Sequence, residues 1–266
     1  MKVVSTNGKV VLGVTSIHDE LFLLLERRDN QVAVYSIDDY QLRGHLDVPG
    51  LNRLSAKDMT SCVGHDCLYA SNWDSRCIHR YNLISSAVGK LSVPGPPGGL
   101  SVTPGSYNLL VACEEPSKLV ELQADSGKSV REITLQSDIK RLQHAVQLTT
   151  DQYLVCHSGL GDKALHRVCL VDVKGRVTRS YGGQRGSGVG QLNFPCHLAV
   201  DEDSQFIFVA DWLNGRVVML SPTLEFVRHF SKGVPGPRRL YFHQKTRRLF
   251  VSRWWPWGDG VTVIQL

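Results

Sequence analysis

With 266 residues, of which 42% are hydrophobic and 21% charged, the chain has an ordinary globular composition and ample material for a core. Its formal net charge of +5 is too modest to decide by itself between nucleic acid and other partners. No run approaches the roughly 18 apolar residues of a membrane-spanning helix, and the first residues lack the apolar block of a signal peptide, so a cytoplasmic protein without membrane contact is expected.

In chain order, one pattern recurs: an apolar run, a polar turn and a second apolar run. It occupies residues 21–35, 67–81, 109–122, 153–171, 206–220 and 249–264. The first apolar residues after the turns are Val32, Cys77, Leu119, Val168, Val217 and Val261, spaced by 45, 42, 49, 49 and 44 residues. That is the spacing of propeller blades. A short apolar segment precedes each copy, at 14–17, 59–62, 100–102, 145–148, 198–200 and 240–242, and supplies the innermost strand.

The expected fold is therefore all-β, a six-bladed β-propeller of four-stranded blades forming a single unit over residues 1–266. The approximate blades are 12–48, 54–93, 98–135, 142–181, 195–230 and 237–266 plus 2–11. The sixth copy ends at Leu266 after its third strand, so a strand within residues 2–11 is expected to complete the last blade and remove an open sheet edge. A β-sandwich would give no such phase-locked spacing. The seven cysteines are odd in number and sit mostly in apolar runs, which points to small buried thiols in a reducing compartment rather than a disulfide framework. Cys62 and Cys67 are spaced like half of a zinc site, but no second pair follows at zinc-ribbon distance.

The fifth repeat is the most distinctive. It reads Val189-Gly-Gln-Leu-Asn-Phe-Pro-Cys-His-Leu-Ala-Val-Asp201, then Phe208-Val-Ala-Asp-Trp-Leu-Asn-Gly-Arg-Val217. This resembles an NHL repeat, with Gly190, Pro195, Asp201, Asp211, Asn214 and Arg216 filling its pattern, although Phe194 and Pro195 are adjacent where the family has a gap. The fourth repeat keeps only Val171, Asp172, Gly182 and Gly183. The resemblance implies the kind of propeller found at the C-terminus of tripartite-motif ubiquitin ligases, where it recognises RNA or protein. No RING or B-box cysteine/histidine array is present, so ligase activity cannot be assigned to these residues.

On a propeller, the loops joining second and third strands share a face with the links between blades. Here those segments hold more than half of the Lys and Arg but little more than a third of the Asp and Glu, together with all five tryptophans. Cations meet phosphates and bases stack on rings at about 1–3 kcal/mol each, so this face is the candidate RNA site. The densest patch is expected where blades six and one meet, from Arg253, Trp254, Trp255 and Trp257 beside Arg27, Arg28, Arg238 and Arg239. Arg53, Trp73 and Arg76 extend it, as do Lys140, Arg141, Arg185, Trp212 and Arg216. Trp73 and Trp212, equivalent in position, also suit packing between blades. Protein hot spots favour the same Trp and Arg, so a protein partner is the alternative.

A third reading is a metal-dependent hydrolase or lyase. His144 and His197 hold equivalent positions at the start of inner strands, Asp58 holds that position in blade two, and Asp211 could face the same axis. No nucleophile elbow, HExxH or phosphate loop is present, no catalytic residue is assigned, no cofactor is expected, and the propeller is expected to be monomeric.

Overall fold

The computed structural model describes residues 1–26, 31–51, 56–254 and 260–266. Each apolar run becomes a strand, and the strands form six separate antiparallel sheets of four. Blade one comprises Val11–Ile17, Glu20–Leu25, Gln31–Ser36 and Leu42–Asp47, and blade two Ala56–Cys62, Cys67–Asn72, Cys77–Asn82 and Val88–Ser92. Blade three is Pro97–Val102, Leu109–Cys113, Lys118–Leu122 and Ser129–Thr134, and blade four Leu142–Thr149, Gln152–Ser158, Leu165–Asp172 and Val177–Gln184. Blade five is Pro195–Val200, Ile207–Asp211, Arg216–Leu220 and Phe226–Phe230. In blade six, Pro237–His243, Arg248–Arg253 and Val261–Gln265 are joined by Lys2–Val4 from the other end of the chain.

The first strand of every blade packs on that of the next, and the sixth packs on the first, so the ring is closed. Lys2–Val4 runs antiparallel to Val261–Gln265, with Lys2 opposite Val263 and Val4 opposite Val261. The expected closure is what the chain adopts.

Burial explains the strand types. Second strands such as Leu109–Cys113 are buried along their whole length, so they read as unbroken apolar runs. The outer strand Leu42–Asp47 is mostly exposed and mostly polar. The core lies between blades: Leu110 and Ala112 of blade three pack with Tyr153 and Val155 of blade four, and Phe208 of blade five with Phe242 of blade six. Each large side chain so buried contributes about 1.5–3 kcal/mol. Close approach at the axis needs glycine: a Cβ on Gly13 would lie 2.5 Å from that of Met59. All seven cysteines are free and buried, as the apolar settings imply. Among the described residues, no helix is long and apolar enough to cross a membrane.

One irregularity repeats around the ring. Each inner strand carries a register shift near its start, between Val11 and Gly13, Ala56 and Met59, Pro97 and Leu100, Leu142 and His144, Pro195 and Leu198, and Pro237 and Leu240. A bulge re-aims side chains. Six bulges at one level of the ring therefore place their residues together at one end of the channel.

Candidate functional site

Asp58, His144, His197 and Arg239, all buried, meet at that level. Arg239 Nε approaches Asp58 Oδ1 at 3.2 Å and donates to the Leu12 carbonyl at 2.9 Å. Its Nη1 donates to the Arg238 carbonyl at 3.2 Å and its Nη2 to the Lys57 carbonyl. Asp58 Oδ2 accepts from the Leu100 amide at 2.9 Å and from His197 Nε2 at 3.2 Å. His144 and His197 stack with ring centroids 3.7 Å apart. Every blade contributes, from Leu12 in the first to Arg239 in the sixth, so the cluster closes the channel as a polar plug.

The serines that cap the bulges are part of the construction. The Asp58 amide donates to Ser71 Oγ at 3.0 Å and the Arg239 amide to Ser252 Oγ at 2.9 Å, from equivalent places on the second strands of blades two and six. Burial disfavours the Asp58 carboxylate, but His197 and Arg239 outweigh it and hold the group well below the usual carboxylate range. Burial pushes His144 well below the ordinary imidazole value, with His197 adding to the effect. Burial also lowers His197, against the pull of Asp58.

Asp58, His144 and His197 have ligand atoms within 4.8 Å of one another, close enough for a metal ion. The donor set argues otherwise. The Leu240 amide donates to His197 Nδ1 at 3.3 Å, which leaves the ring proton on Nε2, pointing at Asp58. His144 Nε2 lies 3.1 Å from the Leu100 carbonyl oxygen and carries a proton there as well. With both Nε2 atoms protonated and a guanidinium already neutralising Asp58, the arrangement fits a charge-balanced plug and not a cation site. Asp211 is elsewhere. It accepts from Arg216 Nε at 2.7 Å, Asn214 Nδ2 at 2.8 Å and the Asn193 amide at 2.6 Å, and so lies outside the channel cluster.

Those bonds give the NHL-like residues a structural role. Arg216, 9% exposed, donates to the carbonyls of Ser187 at 2.7 Å and Gln191 at 2.9 Å, while Asn214 holds the Gly186 carbonyl at 2.8 Å. Together they clamp the link between blades four and five. Arg247 of blade six binds the Asp201 carboxylate through both guanidinium ends and ties the next pair of blades.

Above the plug, on the side of the hairpin loops, a cavity of about 260 Å³ opens between Lys57, Trp73, Glu114, Arg141, Phe194, Trp212 and Arg238. Cation and ring alternate: Lys57 Nζ lies 5.5 Å from the Trp73 centroid, Arg141 the same distance from Phe194, and Arg238 5.1 Å from Trp212. Arg238 also packs 4.3 Å from Trp254, and burial lowers it to about 10, leaving it protonated at neutral pH. Glu114 pairs with Arg141 at 3.2 Å. The Trp212 Nε1 proton is buried and finds no acceptor among the described residues.

Of the residues expected on this face, Trp73, Arg141, Trp212 and Arg238 come together in the mouth. Arg76, Lys140 and Arg185 are exposed on surrounding loops, and Arg253 and Trp254 are half-buried. Arg239 and Arg216 are buried and bonded within the fold, so neither presents its charge at the surface. Arg27, Arg28, Arg53, Trp255 and Trp257 lie outside the described residues. Lys57 and Phe194 belong to the mouth but were not singled out from the sequence. Their signal was position: Lys57 lies within the bulge of its inner strand and Phe194 directly before the bulge of its own.

No protein-family model and no curated protein matches the chain. Among solved structures it is similar to Kuenenia stuttgartiensis hydrazine synthase, at 14% identity and a TM-score of 0.67, with 99% of this chain and 97% of that one covered. It is similar also to U3-55K, at 11% identity and a TM-score of 0.71, with 100% and 98% covered. Likeness at such identity shows the fold alone. The class is thus a six-bladed β-propeller, a fold consistent with a binding platform.

Proposed function

We propose that this propeller is a non-enzymatic binding platform that recognises RNA at the mouth above the plug. The observation that carries the reading is the shared cavity in which Lys57, Arg141 and Arg238 alternate with Trp73, Phe194 and Trp212. A strand of RNA supplies both phosphates for the cations and bases for the rings. The unmet Trp212 Nε1 proton offers one further donor to a base or phosphate oxygen. Arg238 is held by two indoles, so Lys57 and Arg141 are the cations to alter. In fluorescence anisotropy with a labelled RNA hairpin, Lys57→Glu and Arg141→Glu should each weaken binding about tenfold or more. Their melting temperatures should stay near that of the parent. Unchanged affinity in both variants would overturn the reading.

The NHL-like pattern of the fifth repeat supports the same class of partner and a place in the cytoplasm. It equally supports a second reading, a substrate-recognition module of a ubiquitin ligase-type protein. Exposed Leu160, Val189 and Leu213, on loops of this same side, favour that one. Capture of a discrete protein that survives RNase treatment and moderate salt would decide for it.

A further inference from the structure

Below the plug the channel is a second, separate space. It is a blind well of about 290 Å³, floored by His144 and His197 and open at the face opposite Trp73 and Trp212, with walls from all six inner strands. The size is close to the lower end of small-molecule sites, roughly 300–1,000 Å³. Its lining contrasts with the upper mouth, because hydroxyls and amides replace the cations. Thr15, Ser16, Ser61, Ser101, Gln147 and Tyr241 line it; among the described residues no Lys or Arg does, and the one carboxylate is Glu202.

Several of these groups satisfy one another. Thr15 Oγ1 and Ser61 Oγ lie 2.7 Å apart, and so do Ser16 Oγ and the Tyr241 hydroxyl. Others have nothing to bond. Gln147 is 9% exposed, and neither end of its side-chain amide has a partner among the described residues. Ser101 Oγ on the wall and His144 Nδ1 at the floor are buried without partners as well. Buried polar atoms are left unpaired only rarely, and an amide facing a roomy polar cavity calls for a ligand or water to complete it.

We propose that this well binds a small uncharged polyhydroxy compound of monosaccharide or cyclitol size. The unmet group that faces the space is the Gln147 amide, which both donates and accepts, with the hydroxyls of Thr15, Ser16 and Ser61 beside it. Ligand hydroxyls match both kinds of group. Val14, Leu100, Val146 and Leu198 between them offer apolar strips to ring C–H faces. With no cation in the lining among the described residues and both floor imidazoles neutral, a phosphate or carboxylate finds no charge partner there.

The test is isothermal titration with myo-inositol, D-glucose and D-galactose, with inorganic phosphate in a parallel arm, on the parent and on Gln147→Leu and Gln147→Met. At least one sugar or cyclitol should bind saturably at about millimolar or tighter. Gln147→Leu should weaken it about tenfold, and phosphate should not bind. Melting curves show whether each variant stays folded, and the near-isosteric Gln147→Met serves if Gln147→Leu does not. Absence of saturable binding by all three compounds overturns the proposal. So does equal affinity in every folded variant, or phosphate bound as tightly as the polyols.

Discussion

At the residue scale, Arg239 and Asp58 make the most demanding contact in the molecule. A buried guanidinium is tolerable only when its N–H groups find acceptors and its charge finds a partner, and here three blades supply them. Asp58→Ala leaves that charge uncompensated and frees the Leu100 amide, and should cost about 3–5 kcal/mol. Urea unfolding measures it, and a loss below about 1 kcal/mol contradicts the plug as described.

The buried imidazoles set a pH dependence. Burial holds His144 and His197 below their ordinary value and brings His157, with Arg167 adding to the effect, to about 4. The unfolded chain takes up protons near pH 6.5 that the folded chain refuses, so stability is full above that value and falls as pH drops from about 6.5 towards 4. Urea midpoints at pH 7.5, 5.5 and 4.5 should decline in that order. A flat series over this window contradicts neutral buried histidines.

Why the plug was hidden in the sequence is also a residue-scale matter. Arg238 and Arg239 read alike as a surface pair in a basic link. The bulge between Pro237 and Leu240 turns one to the axis and leaves the other among indoles, and a period-two reading of a strand cannot locate a bulge. Ser71 and Ser252, serines at the same place in two second strands, were the available clue.

At the scale of the element, the blades were legible because apolar runs and turns are local signals that repeat in phase. The closing strand was legible because the sixth repeat lacked one. Its contribution is larger than its length of three residues suggests. It covers the edge of Val261–Gln265, and Val4, 2% exposed, packs into the core shared by blades six and one. Deleting residues 1–6 should therefore lower the urea midpoint and produce concentration-dependent association through the freed edge. A truncated chain that elutes as the same species with the same midpoint would falsify this role. The NHL-like residues of blade five behave similarly: Asp211, Asn214 and Arg216 were legible as a motif, and the contacts show them holding a link in place.

At the scale of the whole molecule, the ring has two ends with different chemistry. The plug separates a mouth of cations and rings from a well of hydroxyls and amides, so the two cannot exchange ligands through the axis. The general address of the first was legible, since charge and tryptophan both concentrate in the loops of one side. Its centre was not, because the mouth forms over the axis from links that are distant in sequence, and Lys57, Arg141 and Phe194 converge only once the ring closes.

The central claim is that this mouth binds RNA through phosphate contacts. It is tested most directly by measuring affinity for one RNA hairpin across a salt series. With Lys57, Arg141 and Arg238 each neutralising a phosphate, the logarithm of the association constant should fall linearly with that of salt concentration, with a slope of about −2 or steeper. A slope near zero, or no binding at the lowest salt, would contradict it.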